Sequence, residues 1–195
     1  MALTPTEIVL ALLVLALAAV AILMWSRGRR TAQLKSRFGP EFERTVHQVG
    51  DPRKAETVLE KRQKRVASYT IKPLASDMRG HFIETWRTVQ AQFVDDPKYA
   101  VTRADDLLGE VMLARGYPMA DFDQRAEDLS VDHPEVIENY RAAHMIALRH
   151  SRGEASTEDL RTAMIHYRAL FDDLVNEPEP HGSGLHGVRK EKKVG

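Results

Sequence analysis

Eight histidines and three pairs of adjacent aspartates are the residues in this 195-residue chain whose types could do chemistry. A metal centre needs several nitrogen or oxygen ligands converging on one point, most legibly as two histidines four apart on one helix face. His47, His81, His133, His144, His150 and His166 lie in the helix-patterned part of the chain, and no two of them have that spacing. His144 and His150, six apart, fall on different faces of a helix. His144 alone sits on an apolar stripe, one turn after Tyr140 and one turn before Leu148. That position points to a packed, hydrogen-bonded core histidine, with a ligand or proton-transfer role as the alternative.

The pairs Asp95-Asp96, Asp105-Asp106 and Asp172-Asp173 could suggest acid–base or metal chemistry. Adjacent carboxylates on a helix diverge by about 100°, so they do not converge without help from another element. Asp96, directly before Pro97, has a sufficient role as a helix cap. There is no Gly-x-Gly-x-x-Gly, no phosphate-binding loop, no Gly-x-Ser-x-Gly and no cysteine. The expectation is therefore a non-enzyme with no catalytic, cofactor-binding or metal-binding residues and no cofactor. The run Lys61-Arg62-Gln63-Lys64-Arg65 has no interleaved aromatic to stack on bases, which argues against nucleic acid. Lipid headgroups or plain solvent are its expected surroundings.

The elements carrying these residues begin with residues 8–25, an apolar run without a charge. As a helix it would span about 27 Å, close to the hydrocarbon thickness of a bilayer. A cleavable signal would want a basic start, a shorter apolar core and a small-x-small site. Here residues 1–7 contain Glu7 and no Lys or Arg, and the run ends Leu23-Met24-Trp25. Ala18-Ala19-Val20-Ala21 offers an Ala-x-Ala match only inside the run. An uncleaved transmembrane helix is expected, with Trp25 at the interface. Arg27, Arg29, Arg30, Lys35 and Arg37 follow it, which places the rest of the chain in the cytoplasm.

Equal numbers of basic and acidic residues, 28 each, conceal two opposite regions. Residues 26–75 hold 13 Lys or Arg against 5 Asp or Glu, whereas residues 76–180 hold 11 against 21. Expected partners are the lipid bilayer through residues 8–25 and anionic headgroups through the stretch 27–35 and Lys61–Arg65. Each near-surface cation contributes about 1 kcal/mol to such attraction. Solvated helix faces would give the same pattern.

Caps and breakers divide the remainder. Gly39-Pro40 ends the first helix and opens a short one to Val49, and Asp51-Pro52 opens another to 67 or 69. Glu60 and Lys64 stand at i,i+4 in the favourable order. Ser76 or Asp77 caps a helix bearing Phe82, Trp86, Val89 and Phe93. Asp96-Pro97 opens residues 98–115, with Val101, Ala104, Leu107, Leu108, Val111 and Met112 on one face. A short helix over about 120–129 follows. Asp132-His133-Pro134 is expected to start a helix whose stripe is Val136, Ile137, Tyr140, His144, Ala147 and Leu148. Ser156 and Asp159 form a capping box before Leu160, Ala163, Met164, Tyr167, Leu170, Phe171 and Leu174. Glu-Pro-Glu-Pro and Gly-Ser-Gly then give a disordered tail over 176–195.

The stretches Leu34-Lys35-Ser36-Arg37-Phe38-Gly39-Pro40-Glu41, Phe93-Val94-Asp95-Asp96-Pro97 and Asp128-Leu129-Ser130-Val131-Asp132-His133-Pro134 carry a family likeness. Glu138-Asn139-Tyr140-Arg141-Ala142-Ala143-His144 and Tyr167-Arg168-Ala169-Leu170-Phe171-Asp172-Asp173-Leu174 extend it. Over about 34–175 the chain resembles a bacterial family of single-pass membrane proteins with a helical C-terminal domain and no assigned function. The resemblance implies no reaction. The expected architecture is all-α: a short segment 1–7, a transmembrane helix 8–25, a basic juxtamembrane helical region 26–75, an acidic soluble helical bundle 76–175 and the tail. The expected function is a membrane-anchored interaction or scaffold module facing the cytoplasm, its protein partner unnamed. A membrane-anchored enzyme or sensor built around His144 and Tyr140, or an exported helical protein with a cleaved signal, remains open.

Overall fold

Proline and glycine punctuate the chain where the sequence places them. The computed structural model describes residues 5–176, with side chains from Leu13 onward except Arg27. Among these residues there are eight α-helices and no strand: α1 (Pro5–Phe38), α2 (Pro40–Val49), α3 (Pro52–Val66), α4 (Ser76–Gln92), α5 (Pro97–Arg115), α6 (Phe122–Asp132), α7 (Ile137–Ser151) and α8 (Thr157–Asn176). The all-α expectation holds. Nearly all of the tail, residues 177–195, lies outside the described residues, as does the start of the N-terminal segment, residues 1–4.

The chain divides into two units: residues 1–67 with 127–135, and residues 68–126 with 136–195. In the first, α2 packs on α3 and α1 packs on both. Asp51 accepts hydrogen bonds from the Arg53 and Lys54 amides at 2.8 and 3.1 Å, which fixes the start of α3. Leu34, Phe38, Phe42, Ala55, Leu59 and Val66 are its buried apolar residues from these helices. The segment 127–135, which the sequence pattern groups with 76–175, belongs to this unit. Ion pairs described below tie it there.

In the second unit, α8 packs on α7 and α5, and α4 packs on α5 and α8. All seven apolar residues expected on the α8 stripe, and all six on α5, are buried. Asp96 caps α5 through the Tyr99 amide at 3.0 Å. The capping box forms as expected: the Ser156 amide donates to Asp159 Oδ2 at 2.8 Å and the Asp159 amide to Ser156 Oγ at 3.2 Å. Gly116 ends α5 with φ +99°, and a Cβ there would stand 2.3 Å from the Thr70 carbonyl oxygen. Only glycine lets the 68–75 connector lie this close, and the Lys72 amide bonds the Arg115 carbonyl at 2.8 Å.

Two expectations change. The residue before α4 is Ala75, with no side-chain cap, because Ser76 and Asp77 already lie in the first turn. Pro134 begins a turn rather than a helix, so Asp132 closes α6 and α7 starts at Ile137. The buried line of α7 then runs Ile137, Tyr140, Ala143 and Ile146, leaving Leu148 exposed and His144 only half-buried. Among the described residues no helix is long and apolar enough to cross a membrane. The side chains of residues 8–12 lie outside the described residues, and residues 13–25 alone give about 20 Å of helix.

Candidate functional site

The second unit contains a buried polar cluster gathered from four helices: Asp105 on α5, Arg125 on α6, Tyr140 on α7 and Tyr167 on α8. Both tyrosines are fully buried, with ring centroids 6.2 Å apart. The Arg125 guanidinium carbon is 5.9 Å from the Tyr140 ring, and its Nη2 is 3.7 Å from Asp105 Oδ2. Gly109 makes room for this arginine, since a Cβ there would stand 3.3 Å from Arg125 Nη1. The two phenol oxygens, Asp105 Oδ1 and Arg125 Nε are buried without a hydrogen-bond partner. Asp105 is nonetheless the acceptor that both hydroxyls face.

Burial, reinforced by the Asp105 carboxylate, raises the pKa of both phenols far above the ordinary tyrosine value. The hydroxyls therefore stay protonated near neutral pH. They can donate hydrogen bonds to an acceptor but cannot serve as bases or nucleophiles there.

His144 lies beside this cluster through Phe122, whose ring stacks on the imidazole at 3.5 Å and 7° and tilts onto Tyr140 at 4.9 Å. The expectation of a core histidine is met halfway: the ring is half-buried and held by an aromatic face. Burial, aided by the Arg125 charge and opposed by Asp105 and Asp123, lowers its pKa below 6.5. A depressed value means the folded state prefers the neutral ring. Its contribution to stability is present above the unfolded pKa and is lost as pH falls through the folded one. We expect the His144 ring resonances to titrate below pH 6.5 by NMR. His144→Asn should reduce the acid-induced fall in melting temperature between pH 7 and pH 5. An unchanged pH dependence in the variant would refute this.

The other histidines stay apart. His166 Nδ1 is 2.8 Å from Asn139 Oδ1, His47 and His81 are exposed, and His133 is the most buried at 4 %. Sequence reasoning passed over His133 because Pro134 made it look like a helix start. Among the described residues no group of three or more His, Asp or Glu is arranged to hold a metal ion. The acidic pairs splay as expected: Asp105 joins the cluster while Asp106 is exposed, and Asp172 pairs with Arg168 at 3.3 Å.

In the first unit the basic run resolves into ion pairs. Arg62, buried, donates to Glu41 at 2.7 Å and Glu127 at 3.2 Å, while Arg65 reaches Asp128 at 2.7 Å and Glu127 at 2.8 Å. Glu60 is bound by Nε and Nη2 of Arg30 rather than by Lys64. Lys35 pairs with Glu43 at 3.1 Å, Arg37 with Asp132 at 3.2 Å, and the Arg29 guanidinium lies 3.8 Å over the Trp25 ring. The charge segregation along the sequence is thereby largely cancelled. The unit as a whole holds 12 Lys or Arg against 10 Asp or Glu.

No family model, curated protein or solved structure matches the chain.

Proposed function

We propose that this chain is a single-pass, membrane-anchored helical module whose second unit faces the cytoplasm and binds another protein. The observation that carries the reading is the apolar run of residues 8–25 on the 34-residue helix α1. From Leu13 to Trp25 its large side chains are exposed on every side, at 53–68 %. A core-facing helix would bury one stripe, whereas an all-round apolar surface suits a bilayer. Trp25 and the cations after it fit the interface, and their excess over the side bearing Glu7 favours N-out, C-in insertion. An export-dependent reporter fused after Val175, with sequencing of the mature N-terminus, tests this. The reporter is expected to be inactive and the N-terminus uncleaved. An active exported reporter, or a start after Ala21, would favour the exported alternative.

One observation favours a second reading, a sensor site in the helical core. The Asp105, Arg125, Tyr140 and Tyr167 cluster gathers polar groups in a core that apolar residues could fill. Tyr140→Phe with Tyr167→Phe separates the readings. A merely structural cluster should hold or gain stability, because the orphaned hydroxyls are removed.

A further inference from the structure

A cavity of about 450 Å³ opens in the first unit between α1 and α3. Its polar lining is Arg30, Arg37, Lys64, Gln33, Gln63 and Glu60, three cations against one carboxylate. We propose that this cavity binds the phosphate-bearing headgroup of an anionic phospholipid. The proposal rests on the membrane reading above and assigns that reading a specific site.

The charges that the fold neutralises and those it leaves available decide the chemistry. Arg30 spends Nε and Nη2 on Glu60, and Arg37 spends Nη2 on Asp132 and Nε on the Val131 carbonyl, so each keeps Nη1. Lys64 is exposed and has no ion-pair partner among the described residues. Two guanidinium nitrogens, one ammonium and two side-chain amides are a donor set for phosphate oxygens. The anchored carboxylate of Glu60 keeps Arg30 in place rather than competing for the ligand. Leu34, 4 % exposed, supplies an apolar wall suited to a glycerol backbone. No aromatic lines the cavity, so nothing offers stacking to a nucleobase.

Position decides the source of the phosphate. Arg30 is five residues beyond Trp25 on the continuous helix α1, about 8 Å along its axis. With Trp25 at the interface, the Arg30 end of the cavity meets the layer of lipid phosphates, and Arg37, about 18 Å beyond Trp25, marks its cytosolic end. The volume lies within the range of small-molecule sites, about 300–1,000 Å³.

The test uses the full chain in neutral detergent, with short-chain phosphatidylglycerol, short-chain phosphatidylcholine and inorganic phosphate as probes at constant ionic strength. Melting temperature is read against probe concentration. Phosphatidylglycerol is expected to stabilise the protein more than phosphatidylcholine. Lys64→Glu should weaken that effect about tenfold. Lys61→Glu, the same charge change at an exposed site outside the cavity, should leave it nearly intact. Equal losses in the two variants would mean diffuse surface charge and overturn the site. So would a lack of preference between the lipids, or inorganic phosphate reproducing the full effect. Bilayer insertion is read separately by resistance to alkaline carbonate extraction, so failure of the anchor and failure of the site are distinguishable.

Discussion

Replacing Arg62 by methionine is expected to destabilise the first unit by about 3–4 kcal/mol, more than any surface substitution in it. Both partners of the Arg62–Glu41 bond are buried, at 5 % and 0 % exposure, and Arg62 also reaches Glu127. Methionine matches the stem but leaves the Glu41 carboxylate in a low-dielectric interior. Arg44 Nε also lies 4.0 Å from Glu41 Oε2. The effect is local, so amide hydrogen exchange in α2 and α3 of the full chain measures it. Replacing both groups, Glu41→Leu with Arg62→Met, should recover much of the loss, because a well-packed apolar pair avoids the desolvation cost. A double variant no more stable than the single would show that the guanidinium acts by packing.

Trp86→Ala should cost the second unit about 3–5 kcal/mol. The indole is 4 % exposed and stacks on Phe171 at 4.7 Å and 16°, joining α4 to α8. Truncation removes both the buried area and the aromatic contact. Trp86→Phe retains a ring and should cost much less, an outcome aided by the indole nitrogen having no hydrogen-bond partner to lose. Exchange protection in α4 and α8 is the measurement. An equal loss in the two variants would show that neither the retained volume nor the retained ring suffices and that the indole itself is required.

The helices themselves were legible because their signals are local. Asp51-Pro52 and Asp96-Pro97 each satisfy orphan amides within a few residues, and Ser156 with Asp159 does so reciprocally. The stripes on α5 and α8 were legible for the same reason: a 3.6-residue period needs only the chain's own order. Where two local signals competed, the reading slipped. Pro134 carries a helix-start signature, yet the chain turns there before entering α7 at Ile137, and this shift moved Ala143 and Ile146 inward in place of Ala147 and Leu148.

The candidate site was only partly legible. Tyr140 and His144 stood out on a stripe, but Asp105, Arg125 and Tyr167 come from helices 15 to 35 residues from Tyr140 in sequence. No periodicity links them. Alone, the sequence determined which segments are helical, which faces are apolar, and that an uncharged run leads into a basic stretch, since these follow from spacing and composition. Tertiary structure decided which charges meet. It drew Glu127, Asp128 and Asp132 to Arg62, Arg65 and Arg37, turning an apparent basic patch into ion pairs, because buried charge is tolerated only beside its opposite.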